Sequence, residues 1–443
     1  MSRSSKVSAR KLALLYLPIA ANAGLMMLSH VINNAGLSRL SDASAVLAGY
    51  ALARNLALFT EAPVLMIRQT TISLVRNRYD LRMLIGYITR LSLVLFFLTV
   101  LLVITPLGQL VLQHLLNAPE HLWGSALRAF LLFAPLPLIS AIRSVYQGIL
   151  LYQRHPGVIT LAMTCRAVTM GIVVLGLTQY LPHWGASIGT ITFLAGLTVE
   201  MAVSFAYGRS MPIAREAASA DEHPVDVKAI AAFSAPLVVL GMVDGVAGCA
   251  ITASLARALN PELSIAAFTV TNSVVAVLIV ALQSLHQMIM VFGHELGVLP
   301  AILRFVTGVA AVGAALPALL AFLPQGRRLF TQSLGLTADL GGQALTTLQW
   351  FVPLPIVVVA ADTLVGLLLV RKRSRMVAAA KIANMCVLIS IALLTTRWSN
   401  NAGAAMGPMM LLSATCMEVV VLAGCLLSIR LQERRVSPAP DDT

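Results

Sequence analysis

The sequence has little charge and no long polar stretch. Only 11% of its 443 residues are charged, whereas a soluble domain has roughly 25%, and 58% are apolar. The mean hydropathy is +0.86. Because the polar connections are short, the chain has no room for a separate soluble catalytic domain. The composition instead predicts an all-α polytopic membrane protein.

Sequence motifs of catalysis and metal binding are also missing. The five cysteines show no C-x-x-C spacing, the eight histidines form no H-E-x-x-H pattern, and no Walker motif occurs. We therefore expect no metal, no cofactor, no ATP hydrolysis and no enzyme activity. The histidines, among them His30 and His286, fall mostly near the ends of apolar runs. We interpret them as residues of the membrane interface.

Apolar runs of about 20 residues, the length that crosses a bilayer, predict twelve spans. They are 12–33, 43–67, 84–106, 124–151, 158–180, 185–207, 229–251, 263–288, 301–323, 343–370, 376–396 and 403–428. Most lysines and arginines behind the net charge of +13 fall in alternate connections, so the positive-inside rule places both termini in the cytoplasm. The charge therefore needs no nucleic-acid partner. Short loops and the lack of an evident organelle signal favour a bacterial cytoplasmic (inner) membrane.

The two halves of the sequence repeat each other at one fixed offset. Adding 218 to a residue number relates FAPLP (133–137) to FVPLP (351–355), GASIG (185–189) to GAAMG (403–407), and Glu200 to Glu418. Six spans per half predict two homologous bundles of the same orientation, related by a pseudo-two-fold axis along the membrane normal. The expected parts are a first bundle (1–207), a cytoplasmic linker (208–228), a second bundle (229–428) and a cytoplasmic tail (429–443).

Over nearly its whole length, this arrangement of six plus six spans resembles the multidrug, oligosaccharidyl-lipid and polysaccharide exporter superfamily, in which the multidrug and toxin extrusion (MATE) transporters are found. Two segments, LAGYALARNLALFTEAP (47–63) and RAFLLFAPLPLISAIRSVYQGILL (128–151), look like the second and fourth spans of the progressive ankylosis protein family. The resemblance implies a transporter of six plus six spans. It also implies outward movement of small phosphorylated or carboxylated anions.

Charged residues inside apolar spans are the candidates for function, because a charge at mid-bilayer is costly and normally faces a bundle interior or an aqueous cavity. Arg54, Glu61 and Arg68 follow one another at a spacing of seven, which places them on one helix face. We expect this face to line a polar cavity between the halves. At seven residues apart, Arg54 and Glu61 are not expected to be direct helical neighbours, and each should pair with a charge on another span.

The predicted substrate site is built around arginines, whose guanidinium groups stay charged and bind carboxylate or phosphate in a bidentate manner. The candidate substrate-binding residues are Arg54, Glu61, Arg143, Tyr146, Gln147 and Arg166. For Arg54, Arg143 and Glu61 an internal ion pair is the competing interpretation.

Acidic residues of the second half are candidates for ion coupling. Asp244 and Asp362 have no acidic counterpart in the first half, and a buried carboxylate can load and release a proton. Lys381 is a third candidate for the coupling site. The competing interpretation is that the aspartates pair with Lys381 or another cation. Glu200 and Glu418 occupy equivalent positions, which favours a structural role, with Arg166 and Lys381 as expected partners.

These observations predict a secondary active transporter that exports a small organic or phosphorylated anion by alternating access. Two alternatives stay open: a flippase for a sugar linked to polyprenyl diphosphate, and a cation-coupled multidrug exporter. The last is disfavoured because an arginine-lined cavity repels a cationic cargo. The expected partners are the anionic substrate, the bilayer and a coupling proton or sodium ion. The repeat lets one chain form a complete pathway, so we expect a functional monomer.

Overall fold

The computed structural model describes residues 9–65, 67–75, 77–153, 155–212, 227–228, 230–231, 246–292, 299–371, 373–398 and 403–436. Helices α1 to α9 are Ala9–Leu37, Ala43–Leu65, Ile67–Leu74, Arg78–Ile104, Pro106–Leu110, Glu120–Leu132, Leu136–Tyr152, Pro156–Tyr180 and Ala186–Gly208. Helices α10 to α18 are Val246–Leu255, Pro261–Leu282, Leu285–Phe292, Leu299–Phe322, Pro324–Arg328, Ala338–Phe351, Leu354–Val370, Ser374–Trp398 and Met406–Val436.

The described helices have the length and composition of membrane spans. Eight are long and apolar enough to cross a bilayer, and two bent pairs bring the number to ten. The helix α1 has 29 residues, and α10 occupies part of the seventh predicted span. This all-α architecture agrees with the predicted twelve spans. Residues 213–226 lie outside the description, so the linker and the domain boundary stay predictions.

The offset of 218 recurs in the helix boundaries. It relates α5 to α14, α7 to α16 and α8 to α17 residue for residue, and it relates the π-helical turn at 111–115 to the one at 329–333. Each π-helical turn is followed by a residue with positive φ, Asn117 at 49° and Gly335 at 71°. The repeat seen in the sequence is thus also a repeat of the fold.

The fourth and tenth spans, predicted at 124–151 and 343–370, are each bent. The helices α6 and α7 meet at 40°, and α15 and α16 meet at 41°. Each break lies at a proline, Pro135 or Pro353, that caps the following helix. Proline has no backbone N–H and its ring clashes with the preceding turn, which interrupts a helix.

Glycines allow two pairs of helices to approach closely at equivalent places. A Cβ atom at Gly148 would lie 2.7 Å from Cβ of Thr71, and one at Gly366 would lie 2.9 Å from Cβ of Ile289. The helix α3 therefore packs on α7 as α12 packs on α16. These contacts fix the end of the second and eighth spans against the fourth and tenth.

The two halves meet along α1, α2 and α11. The amide of Asn34 on α1 donates to the carbonyl of Thr269 on α11 over 3.4 Å, and the hydroxyl of Tyr16 donates to the carbonyl of Ala281 over 3.1 Å. At the end of the bundle where α1 ends, the hydroxyl of Ser38 donates to the carbonyl of Leu334. This interface between the halves holds the cavity described next.

Candidate functional site

A central cavity of about 350 Å³ lies between the halves. Its polar lining from the first half is His30, Asn34, Tyr50, Arg54 and Asn55, carried by α1 and α2. The second half contributes Thr252 from α10 and Thr269, Asn272 and Ser273 from α11. Hydroxyl and amide groups thus surround a single guanidinium group, that of Arg54, in a space large enough for a small organic molecule.

Arg54 pairs with Glu61 on its own helix, which corrects the expectation that the two residues are not direct neighbours. The Nη1 atom of Arg54 lies 3.2 Å from Oε2 of Glu61. Two turns separate the residues by about 10 Å along the axis, but the long arginine side chain spans this distance along the shared face. The other carboxylate oxygen of Glu61 accepts from the hydroxyl of Ser140 on α7 over 2.6 Å.

Glu200 on α9 contacts three of the other candidate residues. Arg143 on α7 lies 3.0 Å from Oε1 and Arg166 on α8 lies 2.9 Å from Oε2. The amide of Gln147 donates to Oε1 over 2.8 Å. Glu200 has no solvent exposure and Arg166 is 4% exposed, so both are buried. Removing one partner of such a buried pair leaves an uncompensated charge, which costs about 3 to 5 kcal/mol.

Phe193 on α9 connects the two ion pairs. The guanidinium carbon of Arg54 lies 4.6 Å from the centroid of the Phe193 ring, and that of Arg166 lies 4.9 Å from it. The centroid of the His30 ring lies 5.6 Å from that of the Phe193 ring. Each cation–π contact contributes about 0.5 to 2 kcal/mol. The aromatic ring therefore stabilises both cations and separates them.

We call Arg54, Glu61, Arg143, Arg166 and Glu200 the arginine network. It has three guanidinium groups and two carboxylates within the contacts described, so its charge is +1. Arg54 is the member that reaches the cavity, with 17% of its side chain exposed. Because Glu61 compensates Arg54, the surplus charge lies with Arg143 and Arg166 around Glu200, behind the cavity. Its field favours an anion in the space between the halves.

The structure separates the six predicted substrate-binding residues. Of these six, Arg54 lines the central cavity, whereas Glu61, Arg143, Gln147 and Arg166 lie behind it in hydrogen bonds or ion pairs. The ring of Tyr146 lies 4.8 Å from that of Phe205 and packs towards the end of α9. The geometry therefore places Tyr146 in a packing contact.

The second half has a smaller charge cluster at the equivalent place. The Nζ atom of Lys381 on α17 lies 2.7 Å from Glu418 on α18, and the amide of Asn384 donates to Glu418 over 2.7 Å. Lys381 is 48% exposed, whereas Glu418 is 2% exposed. The sequence had also suggested Lys381 as a partner of Glu418.

Asp362 on α16 contacts His286 on α12, whereas Lys381 forms its ion pair with Glu418. The backbone N–H of His286 donates to one oxygen of Asp362 over 2.6 Å, and the ring Nδ1 lies 3.0 Å from the other. His286 therefore pairs with the carboxylate of Asp362, which corrects the interpretation of this histidine as an interface residue. The other coupling candidate, Asp244, lies outside the described residues.

Several cavity residues carried no signal that the sequence pattern could reveal. Tyr50 and Asn55 lie in α2, and His30, which we interpreted as an interface residue, lies in α1. Only the packing of α1 and α2 against α10 and α11 brings these three residues to the cavity. The amide of Asn55, for example, donates to the hydroxyl of Thr252 in the other half. The offset offers one hint, because it pairs Arg54 with Asn272 and both line the cavity.

An apolar groove lies along α1 and α11, two of the helices that also line the central cavity. Its volume is about 580 Å³, and it is lined by apolar residues of α1, α11, α13 and α15. Leu17 on α1 and Leu316 on α13 belong to it and are 61% and 48% exposed. The groove therefore faces outwards, where the bilayer would lie.

The family comparison agrees with the resemblance found in the sequence. A family model described as the progressive ankylosis protein (ANKH) matches residues 5–181. The match covers α1 to α8 and contains Arg54, Glu61, Arg143 and Arg166. It confirms the resemblance in the first half of the chain.

Solved structures extend the comparison to the whole chain. An inward-facing multidrug resistance MATE family transporter of the MOP superfamily has a TM-score of 0.67 and 14% identity, over 95% of this chain and 99% of that one. The lipid II flippase MurJ, in an inward closed conformation, has a TM-score of 0.68 and 12% identity, over 93% and 87%. The MATE multidrug transporter DinF-BH has a TM-score of 0.62 and 16% identity, over 96% and 97%. At these identities the likeness establishes the fold alone, which this chain shares with these transporters and the flippase.

Proposed function

We propose that the chain is a secondary active transporter that exports a small organic or phosphorylated anion by alternating access. The observation that carries this proposal is the guanidinium of Arg54 in the lining of the central cavity, with the net positive charge of the arginine network behind it. A fixed guanidinium among hydroxyl and amide groups suits a carboxylate or phosphate, because these groups accept two parallel hydrogen bonds from it.

The neighbours of Arg54 support the same substrate class. Glu61 compensates Arg54 electrostatically, but its other oxygen is occupied by Ser140. The Arg54–Glu61 contact lies within ion-pair distance but lacks hydrogen-bond geometry, since neither Nη1 of Arg54 nor Oε2 of Glu61 makes a hydrogen bond. Arg54 can therefore bind an entering anion while Glu61 limits the affinity, as a transport cycle needs for release.

The test is mass spectrometry of the culture medium and of the membrane lipid extract. Cells without the chain are compared with cells that express the wild type or one of three variants: Arg54→Gln, Arg54→Lys and Arg90→Gln. Arg90 on α4 is exposed and serves as the matched control for loss of an arginine. Expression is normalised by immunoblot of the membrane fraction.

Anions such as citrate, nucleotides or pyrophosphate should rise in the medium with the wild type and with Arg90→Gln. We expect Arg54→Gln to reduce the efflux by about tenfold or more, because a hydrogen bond to a charged group contributes about 1.5 to 3 kcal/mol. Arg54→Lys should retain part of it, because it keeps the charge without the bidentate geometry. Equal efflux from all variants would refute a role of Arg54 in the substrate path.

A second candidate is a flippase for a lipid-linked anion, and the apolar groove favours it. The groove runs along α1 and α11, and so does the central cavity. In this candidate a diphosphate headgroup would bind near Arg54 and its hydrocarbon chain would lie in the groove towards the bilayer. Unchanged medium together with altered polyprenyl-linked sugars in the lipid extract would support this candidate.

The third candidate, a cation-coupled multidrug exporter, is supported least. The surplus charge of the arginine network repels a cationic cargo. If the chain exported cationic drugs, cells that express it would tolerate higher concentrations of cationic dyes such as ethidium than cells without it. Under the anion proposal their tolerance equals that of cells without the chain.

A further inference from the structure

The pair of His286 and Asp362, here called the dyad, is held by three contacts. Both oxygens of Asp362 face N–H groups of His286, one from the backbone at 2.6 Å and one from the ring at 3.0 Å. The ring Nδ1 also lies 2.9 Å from the carbonyl of Gln283. Asp362 is 11% exposed and His286 is 29% exposed, so the carboxylate is buried and the imidazole reaches accessible space.

These contacts determine which ring nitrogen can exchange a proton. Both neighbours of Nδ1 are oxygen acceptors, so Nδ1 carries a hydrogen and donates it. The second nitrogen, Nε2, is then the site that gains or loses a proton. With Asp362 ionised, the dyad has charge −1 when Nε2 is free and charge 0 when Nε2 is protonated. Loading one proton therefore removes a buried net charge.

The dyad lies at a break in the eighth span. The helix α11 ends at Leu282 and α12 begins at Leu285, so His286 belongs to the first turn of α12. Asp362 accepts one of the free N–H groups of that turn, which attaches α12 to α16. Because α11 lines the central cavity, a change of charge at the break acts on a span that also contacts the cavity.

The first half has different residues at the two equivalent positions. The offset pairs His286 with Arg68 and Asp362 with Ser144. An arginine stays charged at every physiological pH, whereas a histidine changes its charge near neutral pH. The framework is thus repeated, but only the second half has a group here that can take up and release a proton.

The surroundings of the dyad complete the charge balance. Tyr16 on α1 and Lys381 on α17 lie near Asp362, and Lys381 is paired with Glu418 on α18. The backbone carbonyl of Gln283, the residue that follows α11, contacts the ring Nδ1 of His286. Arg304 on α13 is exposed and donates to the carbonyl of Pro300 on its own helix. Asp362 is therefore the negatively charged group in direct contact with His286.

We propose that the dyad binds the proton whose movement drives transport, with Nε2 of His286 as the loading atom. This inference rests on the proposed function, because it supplies the coupling ion of that transporter. A sodium ion is the less suitable occupant, since both oxygens of Asp362 already accept N–H groups and a histidine N–H faces the carboxylate.

The proton site is tested first without any substrate. The full-length chain is labelled with ¹³C-histidine in lipid nanodiscs, and the imidazole signals are followed by NMR across the neutral pH range. We expect one titrating signal to disappear in His286→Gln and to titrate at lower pH in Asp362→Asn, because that variant removes the stabilising negative charge. His121→Gln serves as the control and should leave this signal unchanged. A His286 signal that does not titrate overturns the proposal.

Coupling is tested in proteoliposomes loaded with ¹⁴C-citrate or pyrophosphate as probes. An imposed gradient of one pH unit should raise the steady-state anion ratio by at most about tenfold for one proton per cycle. His286→Gln and Asp362→Asn should lose this response but keep the exchange of labelled for unlabelled anion across equal pH. Variants that keep the response to the gradient, or that also lose the exchange, overturn the coupling role.

The two tests separate the failure of this inference from the failure of the proposed function. If the wild type moves neither citrate nor pyrophosphate, the anion proposal fails for these probes, while the NMR titration still decides whether the dyad binds a proton. If the wild type moves the probe only under a sodium gradient, the proposed function stands and the dyad loses its coupling role.

Discussion

Glu200 and Glu418 occupy equivalent positions in the two halves, yet their partners differ. Glu200 binds two arginines and a glutamine, whereas Glu418 binds a half-exposed lysine and an asparagine. The offset even relates Arg166 to Asn384, so the same contact is charged in one half and neutral in the other. A shared framework thus holds a fixed positive charge in the first half and a titratable dyad in the second. Our two proposals therefore assign the arginine that binds the anion to the first half and the proton site to the second.

The largest expected effect comes from removing the two glutamates in turn. Glu200→Gln leaves Arg143 and Arg166 buried without a carboxylate, which costs about 3 to 5 kcal/mol. Glu418→Gln removes the carboxylate partner of Lys381 alone. Because Lys381 is half-exposed, we expect a loss of stability of about 1 kcal/mol or less. Thermal unfolding in detergent, followed by size-exclusion chromatography, measures both. Equal losses in the two variants would contradict the difference between the halves.

The close glycine contacts should cost the same in both halves. Gly148→Ala and Gly366→Ala each place a Cβ atom within 3.0 Å of a β-branched side chain, and overpacking of this kind costs about 1 to 3 kcal/mol. Gly124→Ala and Gly342→Ala are matched controls, because nothing lies within 4 Å of either added atom. The same melting experiment should show two destabilised variants and two that are unchanged or slightly more stable.

An exchange of charge between equivalent cavity positions tests the anion site. Arg54→Asn should weaken binding of the exported anion by about tenfold, the loss of one charged hydrogen bond. The double variant Arg54→Asn with Asn272→Arg should recover part of this affinity, because both positions line the cavity. Glu61→Gln is the control for the loss of the partner of Arg54. Affinity is measured by scintillation proximity with the purified protein. A double variant no better than Arg54→Asn would show that the two positions are not interchangeable.

The smallest expected effect concerns a contact between the halves near the start of α6. His121 on α6 pairs with Glu262 on α11, with exposures of 60% and 30%, whereas the equivalent positions hold Ser44 and Asp339. An exposed pair contributes about 0 to 1 kcal/mol, so Glu262→Gln should raise opening at this end by at most about fivefold. The rate at which a non-permeant maleimide labels Ser273→Cys, in a background without other cysteines, measures the opening. An unchanged rate would limit the pair to a passive surface contact.

Much of the fold could be predicted from the sequence because two signals are strong. The apolar runs define the spans, and the offset from FAPLP to FVPLP defines the repeat. The bends at Pro135 and Pro353 were missed because a run of apolar residues looks continuous although its backbone is interrupted.

The site was less predictable, because its contacts join distant parts of the chain. Arg54 and Glu61 were recognised as one face, but the reach of an arginine side chain decides their pairing. His286 and Asp362 are 76 residues apart and meet only through the packing of α12 on α16. His30 was interpreted as an interface residue, because a histidine in an apolar helix has the same pattern whether it faces lipid or a cavity, and the structure places it in the cavity lining.

The repeat also has an evolutionary consequence. A half-length ancestor that packed as a symmetric dimer would have placed two copies of each residue around the central axis. An arginine at position 54 would then have faced its own copy across one small cavity, where like charges repel. Duplication and fusion of the gene remove that constraint, because each copy can change alone. Asn272 opposite Arg54 is what such a divergence would leave behind.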